Sequence, residues 1–527
     1  MLKHATWILV IVGVCVSLVG WGGTAAAAAP DSPGGAGVFK AAMTTNPPTL
    51  DAYLSSTTAT RQVSIYMFET LVTFGDNYEI IPQLADSWTI SEDRLTYTFT
   101  LRDGIKFHNG ETLSAEDVEA SFARYRAGAL IGQRFDAVEA VTVIDPLTIE
   151  FTLTENMPLL VNLAMPTPFF AIYPKEISEQ YGQDEVRGED LIGTGPYKFL
   201  EWKPDVYVRL ERFADYIPDE RFETYSGFGG KRIPYFDEIQ LIPAPEAASR
   251  IAGLETGEFD FAEAVPIASY EDLEDNPDIQ PEILKPKWAI VLELNQGEPP
   301  MDDVRFRQAL IYALDMDKVL QAVTLGRSEF YRTQPSIYYP EQKVFYTEAG
   351  SESYNNQDLD KVKELLEAVG YNNEPITYLS NRDFEWMYKA CLSVADQWKE
   401  AGINVELQFM DWPSQIEKAK SLEGWHVNQT GWSPRFDPTQ LYSSLSSQSV
   451  GAYNYSNPEM DALLNEINKG LPTEERQEVW RQIQKLVWED VAIIRLGDYF
   501  ELEATRANVQ NYRPFYVTPR FWNVYRE

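Results

Sequence analysis

Cysteine is almost absent. The chain of 527 residues has two, Cys15 and Cys391. Cys15 lies inside an apolar N-terminal run. With that run removed no intramolecular disulfide can form, so stability must come from the size of the core. Histidine is nearly as scarce: beyond the N-terminal run only His108 and His426 remain, far apart in sequence. Without a Cys/His cluster, a zinc or other transition-metal site is not expected. Positive charge is short. Lys and Arg number 44 against 80 Asp and Glu, for a formal net charge of −36. Such a field repels nucleic acid and anionic lipid surfaces, so no nucleic-acid partner is expected. No segment after residue 29 approaches the roughly 18–20 apolar residues that span a bilayer. There is no GxSxG elbow and no HExxH. The glycine-rich "GTGPYK" at 193–198 and "GFGGKR" at 227–232 lack the spacing of a phosphate loop. No cofactor is expected.

What is present begins with the N-terminus. Lys3 precedes the apolar stretch "ATWILVIVGVCVSLVGW" at 5–21, and "GGTAAAAA" then offers small-x-small cleavage sites before Pro30. Residues 1–29 read as a secretory signal peptide, with an uncleaved anchor as the alternative. A lipid-anchor site would want a small residue before its cysteine, and Val14 stands there, so Cys15 is assigned to the signal. The expected location is periplasmic. At 527 residues the chain exceeds one ordinary core, and two or three domains are expected. With 44% hydrophobic and 24% charged residues it is globular.

Periodicity changes along the chain. Leu95, Tyr97, Phe99 and Leu101 alternate on one strand face before a turn at Asp103-Gly104. Ser114 reads as the N-cap of a helix to about residue 127, with Glu116 and Asp117 in its first turn. Hairpins are expected at 141–153, turning at Asp145-Pro146, and at 195–213, turning at Lys203-Pro204-Asp205. A helix at 246–256 stops near Gly257. Asp302 is expected to cap one helix reaching about residue 323, and a helix at 359–369 stops at Gly370. Strand and helix then alternate: strand 375–380, helix 383–401, strand 403–410, a short helix from Ser414, strand 425–430, and helices at 457–469 and 473–490. That alternation predicts an α/β lobe with mostly parallel strands.

In open α/β sheets, ligands bind at the carboxyl ends of strands. The residues just past the three ends are Asn381-Arg382, Asp411-Trp412 and Gly431-Trp432-Ser433-Pro434-Arg435. They bring two indoles and two guanidiniums to one edge. The loop "GWSPRFDP" therefore reads either as a decorated turn, with Trp432 and Phe436 as exposed aromatics, or as part of a binding site.

Motifs along the mature chain support a family resemblance. They are "NPPTLDAYLSS", the stretch from "YMFETLVTFGDNYEI" through "FHNGETLSAEDVEASFARY", "LIGTGPYKFLEW", "RIAGLETGEFDFAE", "LNQGEPPMDDVRFRQALIYALDMDKV", "DLDKVKELLEAVGY" and "GWSPRFDP". In this order the chain resembles the extracellular solute-binding proteins of family 5, the dipeptide and oligopeptide receptors of ABC importers. The resemblance implies an α/β, periplasmic-binding-protein-like fold of the cluster C type, two main lobes around a hinged cleft plus an extra third domain. Lobe I would comprise 30–75, 192–288 and 498–527, lobe II 76–191, and lobe III 289–497. The hinge would be two crossovers near 285–295 and 495–500. In peptide-binding relatives the loop after "GW" carries an Asp that pairs with the peptide's amino terminus. Arg435 stands near that position here, and Asp437 lies two residues on. An ammonium facing Arg435 would be repelled, so either Asp437 takes over or the ligand is not a free-amino peptide. Trp412 aligns with a cleft-lining Trp, and Gln429 stands where oligopeptide receptors have Arg. Trp432, Ser433, Arg382, Asn46 and Asn295 complete the expected ligand contacts.

The implied function is an extracytoplasmic receptor. It would act as a monomer, capture a peptide-like or oligosaccharide-like solute and deliver it to an ABC permease in the membrane, without enzymatic activity. Two alternatives stay open. A secreted hydrolase acting on glycans would need two carboxylates about 5–10 Å apart across a cleft. A receptor-like chaperone or sensor would work without a permease.

Overall fold

The computed structural model describes residues 35–129, 132–166 and 169–527; the signal-peptide assignment lies outside them. Among the described residues, eleven strands join in one sheet that runs through the molecule. In spatial order it contains Val405–Phe409, Ile376–Ser380, Val427–Trp432, Ile279–Leu294, Ile493–Arg506, Phe261–Val265, Val38–Met43, Glu238–Pro243, Tyr207–Arg212 and Tyr197–Lys203. The short Tyr331–Arg332 pairs at the side of Ile493–Arg506. The 16-residue strand Ile279–Leu294 and the 14-residue strand Ile493–Arg506 hold this sheet together. They pair antiparallel from Ile279↔Arg506 to Glu293↔Ile493, and the register slips between Leu284 and Trp288. On one side of that slip the neighbour is Phe261–Val265, with Phe261 opposite Thr505. On the other it is Val427–Trp432, with Ala289 opposite Trp432.

Each half has its own core. One large cluster includes Phe39, Tyr66, Phe99, Phe151, Phe521 and Trp522. Two others flank the opposite end of the sheet, one around Leu292, Phe306 and Trp398 and one around Val291, Trp432 and Trp480. A separate four-stranded antiparallel sheet, ordered Ala85–Ile90, Thr96–Leu101, Thr148–Leu153 and Val138–Asp145, packs on the helix Ala115–Gly128.

Local signals explain most elements. Ser114 and Asp117 form a capping box at the start of Ala115–Gly128. Gly257 and Gly370 end their helices at φ 76° and 70°, the left-handed region a side chain would resist. Tyr97, Phe99 and Leu101 point into the core as their alternation predicts.

Three expectations are revised. The single helix from Asp302 is two, Val304–Tyr312 capped by Asp303 and Met316–Val323 capped by Asp315, whose carboxylate accepts from Lys318 N. That local hydrogen bond competes with helix continuation. The predicted parallel lobe is parallel only across Val405–Phe409, Ile376–Ser380 and Val427–Trp432; the long strands beside them run antiparallel. The strand expected to end at residue 430 continues through Trp432, because Ala289 and Ile290 extend the ladder opposite Trp432 and Gly431.

Candidate functional site

Where the two long strands pass from one half to the other, a cleft of about 550 Å³ opens beside them. Lys287, Trp288, Tyr499 and Glu501 form its floor. Lys287 is buried and ion-paired with Glu501. Burial alone would pull the Lys287 ammonium down, but Glu501 and Glu263 hold it above its ordinary range. Burial also pushes the Glu501 carboxyl up, against the pull of Lys287.

One wall comes from the ends of adjacent strands. Thr44 and Thr45 follow Val38–Met43, and Glu263 with the turn after it ends Phe261–Val265. Glu263 is 3% exposed and accepts from Thr44 N at 2.8 Å, Thr44 Oγ1 at 2.9 Å and Gln62 Nε2 at 2.6 Å. Arg250 donates to the carbonyls of Ala244, Pro245, Glu263 and Ala264, so its fork fixes the wall's backbone. The opposite wall is the start of the helix Glu385–Glu400, with Asp383, Phe384, Glu385, Trp386 and Lys389 facing the cleft. Glu385 and Lys389 pair with each other at 2.8 Å. Asp383 accepts from Trp412 N at 2.7 Å and forms no ion pair among the described residues. Rings run in series along this wall: Trp412 to Phe384 at 5.7 Å, Phe384 to Trp386 at 6.4 Å, and Trp386 stacked on Tyr499 at 6.1 Å.

Gly431 meets this wall. A Cβ there would lie 3.0 Å from Trp386 Cη2 and 3.5 Å from Trp288 Cβ, so glycine lets the indole approach the strand. The strand Val427–Trp432 pairs with Ile376–Ser380 only at Val427 and Asn428. From Thr430 to Trp432 that edge has no strand partner among the described residues, though the Trp432 carbonyl accepts from Tyr339 Oη at 3.4 Å.

The residues expected from sequence divide into groups. Trp412 stands at the rim through its contact with Phe384. Ser433 and Arg435 line a second, smaller cavity with Trp432, on the other face of the long strands. Trp432 and Phe436 are not exposed. Trp432 is 6% exposed, with its indole Nε1 donating to Glu293 Oε1 at 3.1 Å. Phe436 packs on Phe74, Tyr78 and Tyr516. Asp437 does not face a ligand: both its oxygens are held by Arg476, at 2.6 and 2.8 Å, and it is buried. Gln429 is buried too, with its Oε1 accepting from Tyr378 Oη at 3.0 Å. Asn295 lies past the far end of its strand, donating to the Leu422 and Trp425 carbonyls and accepting from Asn454 Nδ2. Arg382 is exposed and lies over the rings of Tyr388 and Phe409, outside the cleft lining. Asn46 is half-buried in the loop after Thr45, and its Oδ1 has no partner among the described residues.

Sequence reasoning did not single out Trp288, Trp386, Tyr499, Glu263, Arg250 or Lys287. Trp288 and Tyr499 sit on or beside the two expected crossovers, and Trp386 lies four residues past Arg382 at its strand end. Those positions were the available signal.

The comparisons with known proteins agree with this architecture. A family model described as bacterial extracellular solute-binding proteins, family 5 middle, matches residues 79–454. The chain is 28% identical over 493 residues to the glutathione-binding protein GsiB of Pectobacterium atrosepticum, covering 89% of this chain and 90% of that protein. Its fold superposes with a TM-score of 0.79 on the ABC transporter substrate-binding protein CtaP of Listeria monocytogenes, at 24% identity, over 90% of this chain and 94% of that one. The periplasmic binding protein DppA of Helicobacter pylori, in complex with the peptide STSA, gives 0.73 at 24% identity, over 94% and 99%. With the matched span covering most of its length, the chain belongs to the family 5 bacterial extracellular solute-binding proteins.

Proposed function

We propose that this chain is the periplasmic receptor of an ABC importer, and that it takes a peptide-like solute into the cleft beside Trp288, Trp386 and Tyr499. The observation that carries this reading is the cleft itself. It lies where two lobes meet over two connecting strands, and its volume falls within the ~300–1,000 Å³ typical of small-solute sites. It offers stacking rings, a strand edge without a strand partner at Thr430–Trp432, and in Asp383 a lining carboxylate with no ion pair among the described residues to meet an ammonium. Glutathione and a peptide are the ligands named for two of the similar proteins, which supports the same class here. The reading of residues 1–29 as a signal peptide supports export, and a membrane permease is the partner the family implies. The protein acts as a monomer in this reading.

The lining carboxylates speak against a hydrolase. Glu263 is held by Thr44 and Gln62, Glu501 by Lys287 and Glu385 by Lys389, so no free pair faces the cleft in the way glycoside cleavage requires. The ring series on the wall also suits sugar rings, so the test includes them. Titration calorimetry of the mature protein with glutathione, dipeptides, tripeptides and an oligosaccharide should show micromolar or tighter binding for a peptide-like probe. Mass spectrometry of the purified protein should identify the same class. If no probe binds and no solute co-purifies, the reading fails.

A further inference from the structure

The smaller cavity has an unusual lining for its size. It has about 10 Å³ of free volume, room for one oxygen-sized atom. Ala289, Val291, Ile337 and Ile493 give it apolar sides, and Tyr339 and Trp432 give it rings. Two guanidiniums reach it, Arg435 and Arg495. Arg495 is 2% exposed. Its Nε donates to the Ser336 carbonyl at 2.6 Å and one Nη pairs with Asp498 at 2.5 Å, but Nη1 is buried without a partner. Arg435 Nε is likewise buried without a partner. Arg435 forms no ion pair among the described residues, and its guanidinium lies 5.5 Å above the Trp432 ring.

The nearby carboxylates are occupied. Asp498 serves Arg495, Arg332 and Gln334; Glu341 serves Arg332; and Asp437 serves Arg476. Glu293 accepts from Trp432 and Asn428, and although the Arg435 charge favours its ionised form, the two make no ion pair. A further positive charge, Arg134 on the turn Gly132–Phe135, stands close enough to Arg435 for the two to oppose each other. A buried cation with an unmet donor costs free energy until an anion reaches it. Guanidiniums meet carboxylates through short, charge-assisted hydrogen bonds.

We propose that Arg435 and Arg495 form a subsite for a carboxylate of the bound solute, with one carboxylate oxygen entering the cavity between Arg435 Nε and Arg495 Nη1. The inference rests on the cleft-binding reading above. Trp288 and Tyr499 face the cleft while Ala289 and Arg495 face the cavity, so in this proposal the solute passes round the strand at Gly431 and Ser433 to bring its carboxylate to Arg435. A solute extended along that path places its body against Trp386 and its anionic end at Ser433 and Arg435.

The test uses the mature protein, trialanine, its C-terminal amide, and acetate. Calorimetry should show trialanine binding at least about tenfold tighter than the amide, and Arg435→Gln should cut that preference to about twofold or less. This variant is expected to fold, because the Arg435 side chain makes no hydrogen bond among the described residues; an unliganded Tm matching wild type confirms it. Equal affinity for acid and amide in wild type, or a preference that survives Arg435→Gln, overturns the proposal. If neither peptide binds, the peptide reading fails and acetate decides the subsite alone. An acetate-dependent rise in Tm that Arg435→Gln abolishes upholds the anion site. A rise of equal size in both proteins, or in neither, overturns it. Acetate stabilisation without any acid-over-amide preference among bound peptides makes the site one for a free anion and overturns the solute-carboxylate assignment.

Discussion

Replacing Glu503 with glutamine tests how the connecting strands respond to pH. Glu503 is 1% exposed on the strand Ile493–Arg506 and stands opposite Glu282 across the ladder. Its carboxylate accepts from Tyr512 Oη at 2.7 Å. Burial, with Glu501 and Glu263 adding to it and the Tyr512 hydrogen bond and Lys287 opposing, pushes its pKa from 4.5 up to about 8. Each factor of ten in proton affinity is worth about 1.4 kcal/mol, so this rise corresponds to roughly 4–5 kcal/mol at most. Below about pH 4.5 the group holds its proton whether the chain is folded or not. Between there and about pH 8 only the folded chain keeps the proton, so stability falls as pH rises. Above about pH 8 both states are ionised and the loss is complete. The amide introduced by Glu503→Gln stays neutral throughout and can still meet the Tyr512 hydroxyl. The variant should match wild type near pH 5 and exceed it by a few kcal/mol near pH 9. Urea denaturation of both proteins at pH 5, 7 and 9 measures this difference, and the other titrating groups largely cancel in it. A wild-type-to-variant gap that stays constant from pH 5 to pH 9 refutes the reasoning, as does a variant much less stable at pH 5. Glu282, pushed up to about 7 by burial, should add a smaller effect of the same sign.

Asp437→Asn should cost about 3–5 kcal/mol in urea denaturation, because it leaves the buried Arg476 fork unpaired. The affinity of the folded fraction for a bound probe should stay unchanged; a loss of affinity without a loss of stability would return Asp437 to the binding site. Trp386→Ala removes the ring stacked on Tyr499 at the cleft and should weaken binding of a peptide probe by about 1–2 kcal/mol in calorimetry. An unchanged Kd would remove that wall from the site. Cys391 is fully buried, and burial pushes its thiol up to about 12, so a thiol reagent at pH 8 should label it only after denaturant is added. Labelling at the rate of a free thiol in native buffer would contradict the packing around it.

The sequence by itself determined whatever depends on neighbours a few residues apart. Ser114 with Asp117, and the stops at Gly257 and Gly370, are local hydrogen bonds and backbone preferences, and each stands where the pattern places it. The strand-helix alternation after residue 375 and the hairpins at 141–153 and 195–213 follow from side-chain period, which is also local. Family motifs, spread over the mature chain, carried the class of protein. The tertiary structure alone decided which side chains were available to a ligand. Asp437 looked free until Arg476, 39 residues on, took both its oxygens. Trp432 looked exposed until Ala289 paired with it and Glu293 accepted its indole N–H. Asn295 is tied to residues more than 120 positions away. Lys287 and Glu501 are separated by 214 residues, yet they meet at the cleft floor because two long strands pair there. A polar side chain's role is set by whether a partner has already met its hydrogen-bonding and charge demands, and here those partners come from segments that only the fold brings together.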